Sequence, residues 1–187
     1  MSIKTCQEAW LTMTKLSTQG EVRNFTQTLD MTDFTVTTEL FPIAALEAYT
    51  AWNLELPLTE AQQQFFNSQR GGDQGDYRSG MQRKIANVVD CLTHYPNSKR
   101  ALISIANDAF AHHACDEKAK CLREIHFHLN KNTLNATCFF RAQAALIFPK
   151  NIHFIGSLMQ TVAEQLPTKP QLGKLFYLTT VLVADRS

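Results

Sequence analysis

LREIHFHLNKNTLNATCFF, from Leu122 to Phe140, is the stretch that decides the fold of this chain. Its first half alternates in polarity, which predicts a strand from Leu122 to Leu129. One face of that strand is expected to carry Leu122, Glu124, His126 and His128, and the other Arg123, Ile125, Phe127 and Leu129. Asn130-Lys131-Asn132 is typical of a turn, and residues 133–140 predict a second strand. The stretch therefore indicates a β-hairpin.

The segments on either side of this hairpin predict a mixture of helices and strands. Apolar residues at helical spacing predict helices over residues 6–19, 44–54, 82–93 and 151–165. Apolar or alternating runs predict strands over 100–105 and 175–183, and a strand or hairpin over 25–42. Residues 67–80 hold four of the seven glycines and are expected to form a loop. We therefore expect an α+β protein with a single domain over residues 1–187.

Composition limits the classes of function. The 187 residues are 44% hydrophobic and 19% charged, which is enough for one buried core. Lys and Arg total 18 against 17 for Asp and Glu, so the net charge of +1 does not favour nucleic acid or membrane as a partner. The sequence shows neither a signal peptide pattern nor a membrane-spanning stretch, and a cytoplasmic location is expected.

Five cysteines occur at irregular spacing: Cys6, Cys91, Cys115, Cys121 and Cys138. An odd number of cysteines without an export signal predicts reduced thiols instead of a disulfide framework. Most such cysteines are small buried hydrophobic residues. Cys121 differs because of the residues that surround it in the sequence.

Three segments in the second half of the chain resemble one enzyme family. They are SKRALISIAN (Ser98–Asn107), Cys121, and CFFRAQAALIFPKNI (Cys138–Ile152). Together they are similar to the thymidylate synthase and deoxycytidylate hydroxymethylase family, which has S-R-R-x-x-x-S-x-W-N, a nucleophilic Cys, Q-R-S-x-D about twenty residues later, and P-x-N-I. The resemblance covers residues 81–187. It implies a thymidylate-synthase-like mixed sheet, with helices packed on one face and a homodimer formed through the sheet.

The resemblance also implies a chemistry for Cys121 and Arg141. In the family, the Cys thiolate adds to C6 of a pyrimidine, and C5 then attacks a one-carbon carrier. Cys121 is the nucleophile candidate, and Arg141 would bind the substrate phosphate and lower the pKa of the thiol. Asn151 corresponds to the Asn that reads the base, although its position is equally suited to a helix N-cap.

Further phosphate ligands are implied at Lys99, Arg100 and Arg23. Lys99 and Arg100 correspond to the paired arginines that reach the substrate of the neighbouring subunit, with Lys giving less directional control than Arg. Arg23 would stand for a mobile phosphate-binding Arg. A solvated strand start remains the alternative interpretation for Lys99 and Arg100.

The sequence departs from the family pattern at several functional positions. Leu122 stands where the family has His. In the segment that corresponds to Q-R-S-x-D, Phe140, Ala142 and Ala144 stand where the family has Gln, Ser and Asp. The family's H-x-Y pair falls near Val183 and Asp185, and the sequence ends at Ser187 without the segment that closes over folate. The catalytic Glu cannot be placed, although Glu47 and Glu55 lie in its region. Conventional thymidylate synthesis is therefore not expected, and the use of a folate-type one-carbon donor is left open.

Two other clusters of side chains indicate alternative binding sites. Four imidazoles and two thiols could hold zinc, although their spacing matches no compact zinc finger: His112, His113, Cys115, Cys121, His126 and His128. A basic cluster over residues 77–84 could contact an anion or be the solvated start of a helix. We therefore predict no metal site and no nucleic-acid partner.

Two function classes remain. The first is an enzyme that uses Cys121 for covalent addition to a pyrimidine nucleotide monophosphate or a related conjugated anion, with methyl or hydroxymethyl transfer as the reaction. The second is a non-catalytic, dimeric homologue with a structural or ligand-binding role. The Cys, Arg and Asn favour the first class, whereas the missing Asp and Ser favour the second.

Overall fold

The computed structural model describes residues 2–70, 76–107 and 119–185. Seven strands form one mixed sheet in the order β1-β2-β7-β5-β4-β3, with β6 beside β7. Their bounds are β1 (Ile3–Thr5), β2 (Val22–Asp30), β3 (Leu102–Ser104), β4 (Leu122–Asn130), β5 (Thr133–Phe140), β6 (Gln143–Ala144) and β7 (Gln171–Val183).

The hairpin predicted from the sequence is confirmed as the antiparallel pair β4 and β5. Antiparallel pairing also joins β3 to β4 and β2 to β7. β1 runs parallel to β2, and both β5 and β6 run parallel to β7. A parallel neighbour requires a crossover, and the chain between β5 and β7 supplies it as a long helix. The expected α+β class, with a mixed sheet, is confirmed.

Five α-helices are described: α1 (Cys6–Ser17), α2 (Ile43–Asn53), α3 (Glu60–Gln63), α4 (Met81–His94) and α5 (Phe148–Gln165). The predicted helices corresponding to α1, α2, α4 and α5 are confirmed, although α5 begins three residues earlier than expected. Pro149 is the reason, because it lies in the first turn of the helix, where its missing N–H costs nothing.

The prediction of a strand or hairpin over residues 25–42 is wrong beyond Asp30. Residues 31–42 form an irregular segment that packs against α5. The ring of Phe34 lies so close to Gly156 that a Cβ there would be 2.1 Å from its Cγ. This contact with a helix, which no local pattern reveals, takes the place of strand pairing.

One face of the sheet and the helices α1, α4 and α5 share the main core, and Phe41, Leu46 and Tyr49 form a second, smaller cluster at α2. Met13 of α1, Ile85 of α4 and Ile155 of α5 belong to the same buried cluster as alternate residues of the strands. In β4 that buried face carries Ile125 and Phe127, as predicted, but it also carries Leu122. A register shift between Leu122 and Glu124 reverses the alternation there, so the expected placement of Leu122 beside Glu124 is wrong.

The strand residues that point to the opposite face remain partly exposed. We call this surface the open face and define it by Thr26, Thr137, Phe139, Phe176 and Leu178, which alternate with core residues along β2, β5 and β7. Its side chains are mostly apolar or threonine. Such a face contrasts with the charged surface that a solvated antiparallel sheet usually presents.

Helix α2 packs on α5 through a buried polar contact. Thr50 Oγ1 lies 2.7 Å from His153 Nδ1, and the Phe34 ring meets the imidazole edge-on at a centroid distance of 5.6 Å. Burial lowers the pKa of His153 to about 4, so the imidazole is neutral at physiological pH.

Within the described ranges, none of the helices combines the length and the hydrophobicity needed to span a lipid bilayer.

Candidate functional site

Cys121 and Arg141 lie opposite each other at one end of the hairpin. Cys121 immediately precedes β4 and Arg141 immediately follows β5, and the register pairs Leu122 with Phe140. The N–H of Arg141 donates to the carbonyl oxygen of Cys121 at 2.9 Å. The structure thus brings together the two residues on which the family resemblance depends most.

The side chain of Arg141 is directed toward the segment that leads into Cys121. Its Nη2 donates to the carbonyl oxygen of Ala119 at 2.8 Å. The hydroxyl of Thr180 on β7 donates to the carbonyl oxygen of Arg141, which fixes the backbone from the other side. A guanidinium held two residues from a cysteine is a suitable partner for a thiolate or for an anionic ligand bound there.

Tyr177 of β7 lies beneath this pair in the core. It stacks on Phe140 with a ring centroid distance of 5.2 Å and is fully buried. Burial raises the pKa of Tyr177 well above its usual range, and the nearby Cys138, Tyr77 and Cys121 add smaller contributions in the same direction. The phenol therefore stays protonated and serves as a hydrogen-bond donor close to Cys121.

A buried hydrogen-bond network connects Tyr177 to the start of α5. The Tyr177 hydroxyl donates to Gln143 Oε1 at 2.7 Å, and Asn151 Nδ2 donates to the same oxygen at 2.9 Å. Gln143 Nε2 donates to the carbonyl oxygen of Ala144 at 2.6 Å. The network thus links Asn151 to Tyr177 through the Gln143 side chain.

Asn151 does not cap α5. The helix begins at Phe148 with Ile147 in the capping position, so Asn151 lies at the end of the first turn. The N-cap interpretation is therefore wrong, because Pro149 starts the helix earlier. The amide of Asn151 is buried and held by Gln143.

Lys99 and Arg100 do not lie near Cys121 of the same chain. Both are exposed and line a groove of about 760 Å³ together with Asp90, Cys91 and residues 94–98. The register of β3 on β4 pairs Leu102 with His126, which places Arg100 level with His128. His128 is seven residues from Cys121, or roughly 23 Å along a strand.

Arg23 lies across β7 from Arg141, since Arg23 pairs with Val181 and the neighbouring Thr180 hydroxyl donates to the carbonyl oxygen of Arg141. It lies on β2 opposite Val181, and its Nε forms an exposed ion pair with Glu21 at 2.5 Å. Strand β2, which carries Arg23, is separated from β5 by β7. The structure gives Arg23 no direct contact with the segment around Cys121.

Of the two carboxylates in the region of the family's catalytic Glu, Glu55 has a structural contact. Its carboxylate accepts from the backbone N–H groups of Gly80 at 2.9 Å and Gln82 at 3.2 Å, at the start of α4. These bonds, led by the one from Gln82, lower its pKa. Glu47 is exposed on α2.

The basic cluster over residues 77–84 does not form one surface. Tyr77 is buried against Phe154, Arg78 stacks over the ring of Trp52 at 3.9 Å, and Gln82 Nε2 donates to the carbonyl oxygen of Leu54. Burial lowers the pKa of Lys84. These side chains join the start of α4 and the residues before it to α2 and α5, so most of the cluster has a structural role.

Half of the alternative zinc site falls outside the described residues, since these exclude His112, His113 and Cys115. In the ranges that are described, no group of three or more His, Cys, Asp or Glu side chains is arranged to hold a metal ion. His126 instead contacts Glu124, with Nε2 and Oε1 2.7 Å apart.

Two of the other described cysteines are more deeply buried than Cys121. Cys6 and Cys138 are buried, and burial raises the pKa of the Cys6 thiol to about 12 and that of Cys138 further still. Cys91 is half-buried on α4, and Cys115 is outside the described residues. No disulfide joins the cysteines that the structure describes.

Sequence reasoning missed Gln143 and Tyr177. Gln143 stands in the apolar segment from Ala142 to Phe148, and a lone amide in such a segment must find buried partners. This rule could have identified Gln143 from the sequence. The sequence offers no comparable signal for Tyr177, because a tyrosine in an apolar strand usually packs in the core.

Comparison with known proteins returned no match, either to a family model or to a curated protein.

Proposed function

We propose that this chain is a thymidylate-synthase-like transferase in which Cys121 adds covalently to the ring of a pyrimidine nucleotide monophosphate or a related conjugated anion. The observation that carries the proposal is the pairing of Cys121 with Arg141, whose guanidinium is held at the carbonyl of Ala119. A cation beside a half-buried cysteine favours the thiolate and binds an anionic substrate.

The proposed reaction begins with a bond between Cys121 Sγ and C6 of the pyrimidine. The electron pair of the C5=C6 bond moves to C5 and the adjacent carbonyl, and C5 then attacks an electrophilic one-carbon donor at the oxidation level of formaldehyde. A base then removes the proton from C5, the carrier leaves from the new carbon as an amine, and an exocyclic methylene remains. Water adds to this methylene to give the hydroxymethyl group, and the Cys121 thiolate leaves as the C5=C6 bond is restored. Covalent addition divides one difficult substitution into easier steps.

A homodimer through the open face is part of the proposal. The three strands of that face, β2, β5 and β7, spaced about 4.8 Å apart with about ten residues each, present a projected area of roughly 500 Å². Pairing two such faces buries on the order of 1,000 Å², the lower limit for a specific interface. Because Arg100 lies roughly 23 Å from its own Cys121, only a second copy of the chain would bring it to a phosphate at that site.

Light scattering tests the dimer. Leu178→Glu places a charge in the open face and is expected to convert a dimer at micromolar concentration into a monomer. Leu11→Glu, on an exposed position of α1, is the matched control and should leave the mass unchanged. A wild-type monomer would remove this part of the proposal, together with the roles of Lys99 and Arg100.

Hydrogen exchange at C5 of the pyrimidine tests the covalent step without any one-carbon donor. Addition of Cys121 makes C5 basic, so deoxyuridine or deoxycytidine monophosphate in D₂O should lose its C5–H signal in the NMR spectrum. Cys121→Ala should abolish the exchange, and Cys91→Ala, at another half-buried cysteine, should leave it intact. Exchange that persists in Cys121→Ala would refute the assignment of the nucleophile.

A non-catalytic ligand-binding homologue is the second candidate. The observation in its favour is that Ala142 and Ala144 stand where the family has its phosphate-binding Ser and its Asp. Nucleotide binding without exchange at C5 would establish this function instead.

A further inference from the structure

A cavity of about 520 Å³ lies between the irregular segment of residues 31–42, the end of α5 and the turn before β7. Its volume is within the range of roughly 300–1,000 Å³ that is typical of small-molecule sites. None of the described residues that line it belongs to the Cys121 and Arg141 pair or to the buried network at Gln143. The cavity is therefore separate from the site of the proposed reaction.

One part of the cavity lining is apolar and consists of Phe34, Ala163, Pro170 and Leu172. The Phe34 ring is held by α5, where it meets the imidazole of His153 edge-on at a centroid distance of 5.6 Å. Phe34 is only half-buried, so it remains accessible from the cavity. Aromatic rings pair favourably with one another and bury a large apolar area. This part of the lining therefore suits an aromatic group.

Two charged side chains of opposite sign line the same cavity. Glu164 lies in the last turn of α5, and Lys169 lies in the turn that leads into β7. Both are exposed, and within the described ranges neither forms an ion pair with the other or with a third side chain. Gln160 Nε2 donates to Glu164 Oε1 at 2.8 Å, and a carboxylate with one such bond can accept several more. Both charges are thus available to a ligand.

The backbone at Lys169 has a conformation that a lysine rarely adopts. Its φ is 43°, in the left-handed region, which costs free energy for a residue with a Cβ. Hydrogen bonds hold the turn nonetheless, since the N–H of Lys169 donates to the carbonyl oxygen of Leu166 and the N–H of Gln171 to that of Asn132, each at 3.0 Å. The backbone from which the Lys169 side chain extends is therefore fixed.

A ligand that carries both charges matches this lining. The ammonium group of an α-amino acid can donate to Glu164, and its carboxylate can accept from Lys169. With one charge of each sign, the lining is neutral as a whole, so it favours a zwitterion over a ligand with a single charge. An aromatic side chain on the same molecule would contact Phe34.

We propose that this cavity binds an α-amino acid with an aromatic side chain, with Glu164 bound to the ammonium group, Lys169 bound to the carboxylate and Phe34 against the ring. The site goes beyond the proposed function, since it uses neither Cys121 nor Arg141. Because both charges are open to solvent, each ion pair contributes little and the affinity is expected in the millimolar range.

Two-dimensional NMR of the ¹⁵N-labelled protein, titrated with three probes, measures affinity and location together. The probes are L-phenylalanine, phenethylamine, which lacks the carboxylate, and 3-phenylpropionate, which lacks the ammonium group. L-Phenylalanine should bind about fivefold more tightly than either of the others, which is the upper value of one exposed ion pair. Its largest chemical-shift changes should come from amides at the cavity, such as those of Ala163 and Leu172.

Two variants assign the charges separately. Glu164→Gln should weaken the binding of L-phenylalanine and phenethylamine by about fivefold and leave that of 3-phenylpropionate unchanged. Lys169→Gln should weaken the binding of L-phenylalanine and 3-phenylpropionate and leave that of phenethylamine unchanged. The matched controls are Glu47→Gln, at an exposed helical position, and Lys131→Gln, at an exposed turn residue that also has a positive φ. Both controls should bind all three probes as the wild type does.

Three results would overturn the inference. L-Phenylalanine could cause no shifts at millimolar concentration, or shifts only at amides away from the cavity. The three probes could bind equally well, which would mark an apolar cleft without charge recognition. The two variants could affect all probes alike. Each of these results leaves the proposed function standing, because exchange at C5 of the pyrimidine does not involve this cavity.

Discussion

Mild acid is expected to destabilise this protein through one buried imidazole, that of His153. Burial holds its pKa at about 4 in the folded state, against an ordinary value of 6.5 in the unfolded chain. Because the unfolded state binds the proton more readily, the free energy of unfolding falls as the pH drops below 6.5, and the loss is complete only below about pH 4.

The size of the effect follows from these two pKa values. Between about pH 7.5 and pH 5, the linkage contribution of His153 falls by about 2 kcal/mol. Other groups also titrate in this range, so the comparison requires a variant that cannot take up the proton. His153→Asn keeps a polar side chain near Thr50 Oγ1, which lies 2.7 Å from His153 Nδ1 in the wild-type protein.

Urea denaturation followed by circular dichroism measures the free energy of unfolding of both proteins at the two pH values. The difference between wild type and His153→Asn should shrink by about 2 kcal/mol on going to the lower pH, since only the wild-type protein loses stability through this group. A difference that stays constant would show that His153 is protonated as easily in the folded state as in the unfolded chain, and would refute the reasoning.

Two further predictions concern packing and activity. Gly156→Ala should lower the free energy of unfolding by about 1–3 kcal/mol, because the new Cβ would lie 2.1 Å from Phe34 Cγ. Ser157→Ala on the same helix is the control and should change the free energy of unfolding little. Equal stabilities of the two variants in urea titration would contradict this prediction. Incubation with deoxyuridine monophosphate and methylenetetrahydrofolate should yield no thymidylate above background by chromatography. The reason is that the side chain of Ala144 can neither donate a hydrogen bond to a folate nor accept one from it. Robust turnover would show that other residues compensate.

Local patterns in the sequence were sufficient for the elements that are amphipathic over their whole length. Helix α4 repeats apolar residues at one regular period, and β4 does so from Ile125 onward, so propensity and burial agree there. The predictions failed where a contact distant in sequence decided the structure. Residues 31–42 alternate like a strand, yet Phe34 packs on Gly156 of α5 instead of pairing.

The candidate site could be predicted only in part from the sequence. The spacing of Cys121 and Arg141 was informative because an antiparallel hairpin necessarily sets its two ends side by side. Gln143 and Tyr177 meet because β6 pairs with the end of β7, a long-range parallel pairing that no local period encodes. The separation of Arg100 from Cys121 likewise depends on the register of β3 on β4.

Alkylation of the native protein with iodoacetamide, followed by peptide mass spectrometry, tests the central claim most directly. Cys121 should be labelled before the other cysteines, because Arg141 favours its thiolate whereas burial raises the pKa of Cys6 and Cys138. A nucleotide monophosphate should slow the labelling, and so should Arg141→Ala in a folded protein. If Cys121 stays inert while Cys6 or Cys115 reacts, covalent catalysis by Cys121 is contradicted.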